Sequence, residues 1–183
     1  MKVLSKATKK SVRNNTKATK KPDSTHSIIM WINHLDFLPG DKSVRTSFNG
    51  NSSGPGPLSL SGLMITSITN GEEGFRGKKT VEKGLEVPPG YKIKGVRICY
   101  ELTDSRSFIS QITLAQLMNP PAGTIVKMDD STHLTSKGPI CIDSQQTNVD
   151  VDPSDGAVRL SLRVNFGDTN HKIVVIGVGL RLQ

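Results

Sequence analysis

The chain has 183 residues, room for one ordinary domain, and none of its apolar runs approaches the roughly 20 residues of a membrane-spanning helix. Its 24 Lys and Arg against 16 Asp and Glu give a formal charge of +8. All of that excess sits before the first acid, Asp23, in Lys2, Lys6, Lys9, Lys10, Arg13, Lys17, Lys20 and Lys21, so the composition excludes a uniformly basic domain and describes a neutral globule with a cationic arm.

In chain order, residues 1–24 read as a disordered lysine-rich arm broken by Pro22, and 25–183 as a single domain. Val3 and Leu4 are followed at once by lysine-rich sequence and cannot form the apolar centre of a signal peptide, so an intracellular location is expected. Without export, the glycan-acceptor tripeptides Asn14-Asn15-Thr16 and Asn51-Ser52-Ser53 carry no meaning. Ile28, Trp31, Ile32 and Leu35 share one helical stripe, yet the β-branched residues also permit a strand; either way the only tryptophan is expected to anchor this segment in the core. Residues 40–57 are rich in turn formers and read as a long loop. Strands are expected over 58–69, 79–87, 91–102, 107–117, 124–128 and 139–143. Pro88-Pro89-Gly90 and Pro120-Pro121-Ala122-Gly123 provide the breaks between them. Two further strands show strict alternation. Val158, Leu160, Leu162, Val164 and Phe166 oppose polar neighbours, and Val174, Ile176, Val178, Leu180 and Leu182 follow the same rule. Period 2 with one polar face, many short strands and no long helix predict an all-β fold. The expectation is an antiparallel β-sandwich, jelly-roll or related Greek-key, behind the basic arm.

The chemistry-bearing motifs are weak. Gly71 to Thr80 has five residues between its glycines and Lys79 before the threonine, so it misses the phosphate-loop spacing and reads as a flexible hairpin rimmed by Arg76, Lys78, Lys79 and Lys83. Asp150, Asp152 and Asp155 are a candidate calcium cluster, with Asp143, Asp129 and Asp130 as possible additions, but the register is not that of an EF-hand and a tight turn explains the same residues. His26, His34, His133 and His171 are scattered and read as surface residues. Cys99 and Cys141 are expected as two reduced thiols, with a bridge between strands as the alternative. Nothing points to catalysis, to a metal site of standard spacing or to a cofactor, so no enzymatic activity is expected.

A lysine-rich arm ahead of a neutral β-sandwich resembles the layout of the coat proteins of small icosahedral RNA viruses. That layout implies a self-associating homo-oligomer whose arm contacts nucleic acid through its phosphates, with no base readout, in a viral particle or a nucleus. The alternative is a module that binds a ligand or protein through loops 40–57, 70–79 and 129–138. The arm is then a solubilising or localisation tail carrying Lys9-Lys10 and Lys20-Lys21. An aromatic content of 4% argues against a sugar-stacking platform in that alternative.

Overall fold

The computed structural model describes residues 27–49, 62–118, 123–146 and 148–183. The lysines and arginine of the arm, both glycan-acceptor tripeptides, residues 58–61 of the first expected strand and Pro120-Pro121 lie outside the described residues. Among the described residues eleven strands follow one another: β1 (Ile28–Ile32), β2 (Leu38–Pro39), β3 (Val44–Asn49), β4 (Gly62–Ser67), β5 (Thr80–Leu85), β6 (Ile93–Leu102), β7 (Phe108–Met118), β8 (Thr124–Asp130), β9 (Ile140–Asp143), β10 (Gly156–Asn165) and β11 (Ile173–Leu182). They form two antiparallel sheets. One has the order β3-β4-β11-β6-β9, with β1 also paired to β11; the other has the order β2-β5-β10-β7-β8. Chain-adjacent strands mostly lie in different sheets, and the two antiparallel sheets form the expected sandwich.

The alternation seen in the sequence builds the core between the sheets. Val158, Leu160, Leu162 and Val164 of β10 meet Val96, Ile98, Tyr100 and Leu102 of β6 and Val178, Leu180 and Leu182 of β11 in one buried cluster. Two bulges change which residues enter it. The β11–β6 register shifts between Val175 and Gly177, so Ile173 and Val175 are buried, while Val174 and Ile176, expected inside, are only half-buried. The β10–β7 register shifts between Arg163 and Val164, so Ile109 takes the core position opposite Val164 that an unbroken register would have given to Ser110, and Phe108, expected on the core face, is only half-buried.

One expectation about elements needs correction, and one open alternative is decided. Residues 40–57 are not all loop, because β3 pairs over its full length with β4. The segment from Ile28 is a strand rather than a helix, followed by a single 3-10 turn at His34–Asp36 capped by Asn33.

Candidate functional site

The pairing of β1 places Met30 and Ile32 towards the core and turns Trp31 to the outer face of the six-stranded sheet. Trp31 is 56% exposed, so it does not anchor the core as expected. Its indole is held against β11, where there is no side chain to push it away. A Cβ on Gly177 would lie 3.3 Å from Trp31 Cζ3, and one on Gly179 would lie 3.4 Å from Cε3 and 2.7 Å from Ile29 Cγ2. Glycine at these two positions lets the ring approach the backbone of β11 closely.

Register continues that row across the sheet. Trp31 is opposite Gly179, Gly179 opposite Arg97, and Arg97 opposite Asp143, so all four share the outer face. Trp31 and Arg97 are therefore two strand spacings apart, about 10 Å. Arg97 and Asp143 form a two-point pair, Nε to Oδ1 at 2.7 Å and Nη2 to Oδ2 at 2.8 Å, with each side chain 34% exposed. The hydrogen bonds from Arg97 hold the Asp143 carboxyl below its usual range against an opposing effect of burial, and Asp143 in turn raises the guanidinium. The next row along holds Gly177, Cys99 and Cys141. Cys99 and Cys141 are directly opposed, with Cα atoms 3.9 Å apart, and are joined as a disulfide; the expectation of two reduced thiols is thereby corrected. Alternation put Cys99 outside, but that its partner would be Cys141 depended on a strand pairing 42 residues distant in sequence.

Around the free edge of β1 the surface folds inward. A cleft of about 310 Å³ separates β1 from β5 of the other sheet, with Trp31, Asn33, Asp36, Lys83 and Glu86 on its walls. Asp36 accepts hydrogen bonds from Asn33 Nδ2 at 2.8 Å and Lys83 Nζ at 3.0 Å.

The remaining sequence candidates are accounted for structurally. Lys79 is fully buried instead of lining a basic rim, and its ammonium donates to the carbonyls of Thr69 (2.6 Å), Asn70 (2.8 Å) and Gly71 (2.8 Å), 5.9 Å above the centre of the Phe166 ring. Burial pushes the Lys79 ammonium below its usual range, opposed by Asp41 and Glu73. Asp41, also buried, accepts from Ser43 N (2.8 Å), Phe75 N (3.0 Å) and Arg76 N (3.0 Å). Those contacts tie the 70–79 loop to the sandwich from both ends and correct its reading as a flexible hairpin. Asp150 faces Lys94 (2.7 Å) and Lys92 (3.4 Å), and Asp152 caps a 3-10 turn through Ser154 N (3.0 Å). Asp155 lies inside that turn, and among the described residues no three His, Cys, Asp or Glu side chains gather as a metal site.

His171, expected at the surface, is only 14% exposed and lies 2.8 Å from Ser107 Oγ through Nδ1 and 3.9 Å from Asp104 Oδ2 through Nε2. This resembles a catalytic triad only in residue type. Ser107 is completely buried, its Oγ already accepts from Gly167 N at 2.9 Å, and Asp104 is neutralised by Arg106 at 3.0 Å.

No protein-family model matches the sequence, and no curated protein does. Among solved structures the chain is similar to the CBM22-1 and GH10 modules of endo-1,4-β-D-xylanase 10B from Clostridium thermocellum, complexed with xylohexaose. The TM-score is 0.50 at 9% identity over 82% of this chain, which spans only 27% of that one. It is also similar to carbohydrate-binding module CBM36 in complex with calcium and xylotriose (TM-score 0.43, 9% identity, 84% of this chain and 98% of that one) and to a CBM4 structure (TM-score 0.42, 13% identity, 77% and 94%). At such identities the likeness concerns the fold. The similar xylanase carries a carbohydrate-binding module on this sandwich fold, which corrects the expected nucleic-acid partner. The physical reason is that a two-sheet sandwich is a scaffold common to shells and binding modules. The charge that suggested phosphate contacts, Lys2, Lys6, Lys9, Lys10, Arg13, Lys17, Lys20 and Lys21, belongs entirely to residues outside the described sandwich. No described helix is long and apolar enough to cross a membrane.

Proposed function

We propose that this protein is a non-catalytic β-sandwich module that binds carbohydrate on the outer face of its six-stranded sheet. One observation carries the reading: the only tryptophan of the chain is exposed and rests its six-membered ring against Gly177 and Gly179 of β11, in one cross-strand row with the Arg97–Asp143 pair. A pyranose has an apolar C–H face and a rim of hydroxyls. It needs a flat apolar surface beside fixed, planar hydrogen-bonding groups, and that is the combination this row presents. A pre-positioned guanidinium–carboxylate pair also loses little side-chain entropy when it engages neighbouring hydroxyls. The sugar complexes of the similar folds are consistent with this use of the scaffold and supply its motivation.

The reading is tested by affinity electrophoresis of the full chain through gels containing xylan, soluble cellulose, mannan or chitosan. Retardation by at least one polysaccharide is expected. Trp31→Ala should weaken it about tenfold or more, as loss of a central aromatic anchor does, while the melting temperature changes little because the ring is exposed. Free migration in every gel overturns the proposal.

A further inference from the structure

We propose that the cleft between β1 and β5 is a second subsite of this glycan surface, and that it selects a sugar carrying a free amine. The inference rests on the carbohydrate reading above and goes beyond it by naming a class of ligand. The cleft, about 310 Å³, falls at the lower end of the range of ligand pockets, about 300–1,000 Å³. Its polar walls are unequal in charge. Asp36 and Lys83 satisfy each other at 3.0 Å, and Asn33 completes the coordination of Asp36. Lys83 is only 17% exposed on its side chain, so its charge is committed to that pair. Glu86 remains, exposed and without a cationic partner among the described residues. Two carboxylates against one ammonium leave the lining with a formal charge of −1.

Trp31 lines the same cleft, so an ammonium entering it meets an aromatic side chain as well as an uncompensated carboxylate. Those are the two groups that recognise a compact cation, one through the ring quadrupole and one through charge. A uronate would be repelled by Glu86, and a neutral sugar would gain hydrogen bonds only. The chemistry that fits is an oligosaccharide of amino sugars with unsubstituted amines.

The test compares three β-1,4-linked hexamers that differ only at C2, carrying ammonium (glucosamine), acetamide (N-acetylglucosamine) or hydroxyl (glucose). Calorimetric titration of the full chain at pH 5.5 and low salt reads the affinities. Cation–π and ion-pair contributions of about 0.5–1 kcal/mol each predict that the glucosamine hexamer binds about 5–30-fold tighter than the glucose hexamer. The ratio should fall at high salt and drop to about 2–5-fold, the cation–π share, in Glu86→Gln, while Glu86→Asp, which keeps the charge, should retain more of it. Equal affinities of the three hexamers, or an unchanged ratio in Glu86→Gln, overturn the amine selectivity and leave the glycan site standing. Binding that is insensitive to Trp31→Ala, or absent for all three, overturns the glycan reading and this inference with it.

Discussion

Lys79 is the residue whose role differs most from its place in the sequence. Next to Lys78 and four residues before Lys83 it reads as part of a basic rim, yet its ammonium closes three backbone carbonyls inside the protein. Lysine can fill this position because a long stem crosses the apolar layer beside Phe166 while the charged end replaces lost water with three acceptors. Replacing it with methionine keeps the stem and leaves the carbonyls of Thr69, Asn70 and Gly71 unmet. The expected cost is about 3 kcal/mol, or a fall in melting temperature of roughly 6–12 °C by calorimetry. A variant melting within a degree or two of the parent would show that the ammonium contributes nothing net. Trp31 makes the complementary point: a large aromatic residue at a position of strand alternation can belong to the wet face, and the proposed glycan site uses that exposure.

At the scale of elements, β9 is the piece most dependent on a single bond. It has four residues, pairs only with β6 and carries Asp143, the partner of Arg97. The Cys99–Cys141 bridge holds it there across a sequence separation of 42 residues. Closing a loop of that length restricts the unfolded chain by about 4 kcal/mol on the chain-entropy scale, so reduction, or Cys99→Ser with Cys141→Ser, should lower stability by up to that amount. The earliest sign should be faster amide exchange over residues 140–143, read by hydrogen-exchange mass spectrometry. Unchanged exchange after full reduction would mean that the four-residue ladder holds the edge unaided.

For the whole molecule, acid is the expected weak point. Asp41 is held low chiefly by its hydrogen bonds from Ser43, Asp104 is lowered to about 2 by Arg106, and Asp143, Asp150 and Asp152 are lowered by Arg97, Lys94 and Ser154 respectively. Each carboxyl is ionised in the fold at a pH where the unfolded chain has already taken up a proton. The unfolded state therefore binds more protons, and stability falls as pH drops. The contribution is complete above the ordinary aspartate range, near pH 4, and for Asp104 is lost on descending towards about 2. Urea midpoints should be level from pH 7 to 5 and decline steadily from pH 4 to 2.5. A midpoint flat across that lower range would refute the role given to these carboxylates. Several of the groups lie on different strands and loops, so the decline should be cooperative across the sandwich rather than confined to one element.

Period 2 in β6, β10 and β11, punctuated by Pro and Gly, was sufficient for an all-β antiparallel sandwich, because alternation reports directly on which side of a sheet meets water. Local pattern also marked Cys99 as opposite the core face of β6 and the 150–156 segment as a turn. The bulges in β11 and β7 escaped it, since a bulge arises from pairing with a neighbour and leaves no trace in one strand's own alternation. The candidate site escaped it for the same reason. Trp31, Arg97, Asp143 and Gly179 are spread over 149 positions of sequence, from 31 to 179, and become one row only when β1 pairs with β11, β11 with β6, and β6 with β9. Side-chain chemistry is written residue by residue. Which side chains stand next to one another is decided by strand register, and register is a property of the folded sheet.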